Sequence, residues 1–267
     1  MADSRLEGLM VSAQERVGRL RPQARELERR AAEAPAPRHF GAPRPDGSVG
    51  VIAEVKRRSP SVGAIREALD AAVHARAYAA GGAVAISVLT EEKHFGGSLD
   101  DLKRVVEAVT LPVLRKDFLL DELQLLEARA AGAAAVLVIA RILPLVRLLD
   151  LTREARWLGL GALVEVHTAD ELDAALSVGA TVVGVNARDL DTFAVDLATA
   201  ERLLPAVPPE VVAVVESGIE TRRDVERMAQ AGAYHVLVGT SIARADDPAA
   251  AVRSLVGVAR RARPRAA

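Results

Sequence analysis

Eight short β-branched runs, each followed by a stretch of helical character, constrain this chain more than any other feature. They are VIAEVK from Val51, AVAISVL from Ala83, LPVLRK from Leu111, AVLVIA from Ala135, ALVEV from Ala162, TVVGVN from Thr181, VVAVVE from Val211 and HVLVG from His235. Strands alternating with helices of about 10 to 15 residues imply parallel βαβ units, and eight such units close a (β/α)8, or TIM, barrel. A repeat points the same way. The pairs Gly82-Ala83, Gly132-Ala133, Gly179-Ala180 and Gly232-Ala233 each stand just before a strand, roughly 50 residues apart, so every interval holds two βα units. Alternation alone does not prove closure, and an open doubly wound sheet is the alternative architecture.

At 267 residues the chain suits one α/β domain, since such barrels run to about 250 residues without splitting. From about Asp3 to Glu33 it is rich in Arg, Glu, Leu and Ala, with Leu6, Met10, Val17 and Leu20 at helical spacing, which predicts one leading helix. The Pro- and Gly-rich stretch APAPRHFGAPRPDGSVG then breaks the pattern. The expected organisation is an N-terminal helical extension and linker over 1–50 and a barrel over 51–267, together one structural domain.

Half of the residues are apolar and 27% are charged, enough for a sizeable core under a well-solvated surface. A formal charge of −1 gives no broad basic field, which argues against nucleic acid or an anionic membrane as partner. The absence of cysteine excludes disulfides, a thiolate nucleophile and a Cys-type zinc site. The amino terminus carries charges throughout, unlike a signal peptide, and the longest apolar stretch, Ala130 to Ala140, falls far short of the roughly 20 residues that span a bilayer. A soluble, cytoplasmic protein with a small-molecule partner is expected. A monomer is its simplest form, although the sequence leaves the oligomeric state open.

Side chains alternate across a strand, so Ile52, Glu54 and Lys56 share one face while Val51, Ala53 and Val55 share the other. The second face is wholly apolar and suits the outer helices. That sends Glu54 and Lys56 into the barrel near its carboxyl-terminal mouth, where barrel enzymes place their sites. The same alternation points Leu114 and Lys116 inward on the third strand, Leu163 and Glu165 on the fifth, and Gly184 and Asn186 on the sixth. Any one of these could be a filler ion pair. Two carboxylates and two ammoniums aimed at one mouth, however, cost several kcal/mol per ion to desolvate, which favours a functional reason for the set.

Glu216-Ser217-Gly218 follows the seventh strand and Gly239-Thr240-Ser241 the eighth, each leading into a new helix. Those two loops form the usual phosphate site of such barrels, where backbone N–H groups of small residues approach an oxyanion closely. The histidines, His39, His74, His94, His167 and His235, are scattered without ligand spacing, so no metal site is expected. They are read as surface or supporting residues. His167 shares the face of Glu165 only if the strand continues past Val166.

Across Val51 to Pro248 the segments IAEVKRRSPS, ISVLTEEKHFGGSLDDL, LPVLRKDF, LVEVHT, VGVNARDL and ESGI resemble the indole-3-glycerol phosphate synthase family. The first-strand E-x-K-x-x-S-P and third-strand L-R-K-D-F set this family apart from other phosphate-binding barrels. The resemblance implies ring closure of 1-(2-carboxyphenylamino)-1-deoxyribulose 5-phosphate to indole-3-glycerol phosphate, with loss of carbon dioxide and water and without cofactor or metal. It implies Lys116 as the general acid on the ketone oxygen and Glu165 as the base. Lys56 would pair with the substrate carboxylate and serve the dehydration, while Glu54 and Asn186 hold hydroxyls. How the proton steps divide between Lys56 and Lys116 stays open.

By the same resemblance Ser59, Arg188, Glu216, Ser217, Gly218, Gly239 and Thr240 surround the phosphate and sugar. Leu89, Phe95, Phe118, Leu137 and Leu190 wall the aryl ring. Two loop positions depart from the family: Val62, where many members carry Lys, and Thr240, where Glu is frequent. The leading segment, Met10 included, matches poorly. Phosphoribosylanthranilate isomerase, a similar small barrel, uses a cysteine base that this chain lacks, and a non-catalytic phosphate-binding barrel is the other alternative.

Overall fold

The computed structural model describes residues 3–59, 63–190 and 192–263. Two helices lead, α1 (Asp3–Leu20) and α2 (Ala24–Glu33), and the rest follows as β1 (Gly50–Val55), α3 (Ala71–Ala80), β2 (Ala85–Leu89), α4 (Leu99–Ala108), β3 (Val113–Lys116) and α5 (Glu122–Ala130). The second half comprises β4 (Ala135–Ile139), α6 (Leu145–Trp157), β5 (Gly161–Val166), α7 (Ala169–Ser177), β6 (Val182–Asn186), α8 (Leu197–Leu203), β7 (Val212–Glu216), α9 (Arg222–Gln230), β8 (His235–Val238), α10 (Thr240–Arg244) and α11 (Pro248–Leu255). The strands β1 to β8 pair in parallel in chain order, and β8 returns to β1, so the sheet is a closed barrel. An open sheet would have left β1 and β8 as edges.

Local chemistry starts and stops these helices. Asp70, Ser98, Asp121, Thr168, Asp196, Thr221 and Asp247 each accept a first-turn backbone N–H, satisfying donors the helix cannot, at about 1 kcal/mol per cap. At the other end Gly82, Gly132, Gly179 and Gly232 take the left-handed backbone that returns the chain into the next strand. The repeat seen in the sequence is this helix-ending turn.

The strand alternation separates two cores. Val51, Ala53 and Val55 join the outer cluster between barrel and helices, whereas Ile52, Leu114 and Leu163 lie in the inner cluster. Burying an aliphatic side chain in either is worth about 1.5–3 kcal/mol.

The leading segment differs from expectation in two ways. It is two helices rather than one, because Pro22 lacks the N–H a continuous helix needs and a 3-10 turn over Arg21–Gln23 takes its place. The Pro- and Gly-rich stretch is also more than a linker: Phe40, 5% exposed, enters the inner cluster, and Gly41 adopts φ 84° beside Val182. Together they close the amino-terminal floor of the barrel.

Candidate active site

The carboxyl ends of the strands open into one cavity. It is lined by Glu54, Lys56 and Ser59 from β1 and its loop, Leu89 and Phe95 from β2 and its loop, and Lys116 and Phe118 from the third unit. Leu137, Glu165, Asn186, Arg188 and Leu190 follow from the fourth to sixth, and Glu216, Ser217, Gly218, Gly239 and Thr240 from the last two. Every residue singled out for the site in the sequence thus borders the same space. Val62, the other departure from the family pattern, lies outside the described residues.

The charged floor of this cavity is a network. Lys116 Nζ donates to Glu216 Oε2 at 2.7 Å and to Glu165 Oε2 at 3.3 Å. Lys56 Nζ stands 2.7 Å from Glu54 Oε1. Burial works against the Lys116 ammonium, but Glu216, Glu165 and Glu54 outweigh it and hold its pKa above the ordinary lysine value. Glu165 is held below the usual carboxylate range: burial works to raise it, while Lys116, His167 and a hydrogen bond with Asn186 lower it further. For Glu216 burial and the nearby Glu165 win over Lys116, and its carboxyl is pushed up. Two carboxylates around one cation are therefore driven apart in acidity, an arrangement suited to acid–base chemistry.

Glu216 borders the cavity with the loop residues it is expected to join, but lies deeper than they do: it ends β7, is 1% exposed, and its carboxylate lies beside Lys116. Two glycines make room for such groups. A Cβ at Gly184 would meet Glu216 Oε1 at 2.1 Å, and one at Gly239 would meet Glu54 Oε1 at 2.4 Å. A side chain at either position would displace a carboxylate.

Around this floor the walls differ by side. From β2, β3 and β4 come Leu89, Phe95, Phe118 and Leu137, with the rings of Phe95 and Phe118 tilted at 35° and 6.4 Å apart. Leu9 of α1, Ile139 and Leu237 complete apolar contacts that the strand pattern did not single out. Leu9 comes from the leading helix, one residue from Met10. Across the mouth, the loops after β7 and β8 present Ser217, Gly218, Gly239 and Thr240. Ser217 has φ 65° and Gly218 φ 78°, so the chain turns through two left-handed residues, a conformation that costs a non-glycine residue about 1 kcal/mol or more. Arg188 donates its backbone N–H to Asn186 Oδ1 at 3.0 Å, fixing the amide that faces Glu165.

Of the histidines expected at the surface or in support, His74, His167 and His235 are buried. His167 lies one residue past the end of β5, yet its Nε2 stands 3.4 Å from Glu165 Oε1. Among the described residues no group of His, Asp and Glu side chains could hold a metal ion, and no helix is long and apolar enough to cross a membrane.

Comparisons with known proteins agree with this geometry. The family model for indole-3-glycerol phosphate synthase matches residues 6–255. The indole-3-glycerol phosphate synthase of Kineococcus radiotolerans is 54% identical over 208 residues, covering 78% of this chain and 76% of the relative. That of Mycobacterium avium is 47% identical over 256 residues, covering 95% and 93%. Among solved structures, 3-hexulose-6-phosphate synthase from Salmonella typhimurium superposes with a TM-score of 0.63 over 78% of this chain and 96% of that one, at 18% identity, a likeness of fold alone. The chain belongs to the indole-3-glycerol phosphate synthase family.

Proposed function

We propose that this barrel is an indole-3-glycerol phosphate synthase, a carboxy-lyase of tryptophan biosynthesis that acts on 1-(2-carboxyphenylamino)-1-deoxyribulose 5-phosphate. The observation that carries the reading is a lysine set between two buried carboxylates, with an aromatic-lined wall on one side and two small-residue loops on the other. The aryl ring fits against Leu89, Phe95, Phe118, Leu137 and Leu190. The phosphate fits at Ser217, Gly218, Gly239 and Thr240, with Ser59 and Arg188 beside it.

Lys56 pairs with the substrate carboxylate, and Glu54 and Asn186 hold hydroxyls of the sugar chain. As the ring carbon bearing the carboxylate attacks the ketone carbon, Lys116 gives a proton to the ketone oxygen, which becomes a hydroxyl. Carbon dioxide then leaves, and its bonding electrons restore the aromatic ring. A second proton, from Lys56 or Lys116, lets the new hydroxyl depart as water. Glu165 removes a proton from the methylene next to nitrogen, and the ring double bond forms. Glu216, with its raised pKa, stands close enough to return a proton to Lys116.

Since one chain supplies every group that lines the cavity, the reading requires no second subunit for the chemistry. The purified protein is expected to develop indole fluorescence from the carboxyphenylamino substrate without added metal, and to do so equally in EDTA. Lys116→Met should lower kcat at least about 100-fold, the scale of losing a positioned general acid. An inactive wild-type chain, a metal requirement, or a Lys116→Met enzyme with near-normal turnover would each count against it.

A further inference from the structure

The sequence leaves His167 at the surface or in support of the site, and the geometry around it says what it supports. Its side chain is 5% exposed and lies between two carboxylates. On one side, Nε2 stands 3.4 Å from Glu165 Oε1, an ion-pair distance that leaves this buried nitrogen without a closed hydrogen bond. On the other, Glu171 Oε2 lies 3.1 Å from ring Nδ1 and accepts the His167 backbone N–H at 2.7 Å. One oxygen thus grips both the ring and the main chain of the histidine.

The grip grows out of the helix start. Thr168 caps α7 by accepting the Glu171 N–H at 3.2 Å, which sets Glu171 at the third helical position. In a capping box that side chain would turn back to the cap residue's own N–H. Here it reaches one residue further, to His167, and so couples the helix terminus to the imidazole. A cap alone needs no histidine at this place.

We propose that His167, anchored by Glu171, is a positioning residue that fixes the Glu165 carboxylate from the side opposite Lys116 and, as a cation, keeps it ready to remove the substrate proton. The inference rests on the proposed role of Glu165 as base. Glu165 Oε2 faces Lys116 and Oε1 faces His167, so neither oxygen is free to swing. With Nδ1–H committed to Glu171, a neutral ring would aim a lone pair at Glu165, whereas the imidazolium aims a donor.

The surroundings favour the cation. Burial works against it, but Glu165 and Glu171 prevail and hold the imidazole up to about 9. Glu165 comes from the same strand and Glu171 from α7; Lys116 of β3 and Asn186 of β6 lie beyond Glu165. The 3-10 turn Ala140–Ile142, packed against both β5 and α7, carries Arg141 as its charged residue. A catalytic contact of 3.4 Å without substrate is ordinary, since such contacts tighten in the complex.

Two measurements on the full chain test this. In the first, the His167 ring is titrated by NMR in wild type and in Glu165→Gln, with His167→Gln identifying the signal. The expected result is a titration well above the ordinary imidazole value of about 6.5 that falls by at least about one pH unit in Glu165→Gln. An ordinary value, or one indifferent to Glu165, overturns the pairing whether or not the enzyme turns over. In the second, kcat and KM are followed against pH. His167→Gln and Glu171→Gln should lower kcat about 10-fold or more with KM little changed, and the acid limb should move to higher pH as Glu165 loses its cation.

Normal kcat and an unmoved acid limb in folded His167→Gln would overturn the positioning role. Glu171→Gln retains the shape of the cap, so it reads the same coupling if His167→Gln fails to fold. A wild-type chain inactive on the carboxyphenylamino substrate would instead remove the functional reading, while the titration still decides the pairing.

Discussion

At the scale of single residues, the site is a problem of crowding solved by bare backbone. Glu216 occupies space that exists only because residue 184 has no side chain, and it shares Lys116 with Glu165. Glu216→Gln preserves the shape and removes one buried negative charge. The expected outcome is a thermal midpoint equal to or above that of the parent, with kcat at least about 10-fold lower, the pattern of a group retained for function against stability. Melts and initial rates on one preparation check it; a destabilised variant with normal turnover would make Glu216 a structural counter-ion. Alternation along the strands was enough to aim Glu54, Lys116, Glu165 and Asn186 inward. The same alternation holds for Glu216, the last residue of β7 as Lys116 is of β3 and Asn186 of β6, but the adjoining Ser217-Gly218 drew it into the loop instead.

The leading helix shows what lies beyond local pattern. Helical spacing along α1 identified a helix but not the surface it covers, and the pocket residue proved to be Leu9. The attachment is polar and long-range: Arg16 gives Glu127 of α5 two hydrogen bonds, at 2.8 and 3.0 Å, and gives Glu92 a third. Glu127 in turn meets Arg115, fully buried on β3 next to Lys116 in sequence. Ser12 donates to Glu91, whose carboxylate accepts the backbone N–H groups of His94 and Phe95. The helix is therefore fastened both to the strand of Lys116 and to the loop that carries Phe95. Arg16→Gln should loosen it, costing about 1.5–3 kcal/mol in urea melts and raising KM several-fold while kcat falls little. Unchanged KM in a variant that loses this stability would make α1 a scaffold only. No periodicity in a single sequence announces such a partnership; the break at Pro22, by contrast, is a local signal that the expectation of one helix passed over.

Over the whole molecule, eight regular βα units were legible because their periodicity and helix-ending glycines are local, whereas the floor was not, because it joins distant segments. Phe40 plugs the barrel from below, and His235, 1% exposed at the start of β8, sits against the carbonyl of Gly41. Burial pushes its pKa down to about 4 from the ordinary 6.5. The unfolded chain thus binds more protons between these values, so this contribution is complete above about pH 6.5 and is lost as pH falls through about 4. It amounts to on the order of 3 kcal/mol. Thermal melts from pH 7 to 4.5 should show a shallower acid decline in His235→Gln than in the parent, and parallel curves would refute the assignment. The same floor sets an order of events during synthesis. Gly41 and His235 are 194 residues apart, which at roughly 5–20 residues per second separates their emergence from the ribosome by about 10–40 s. The segment that carries the plug is made early and the strand that closes the ring is made last, so a chain stopped before β8 cannot shut the barrel.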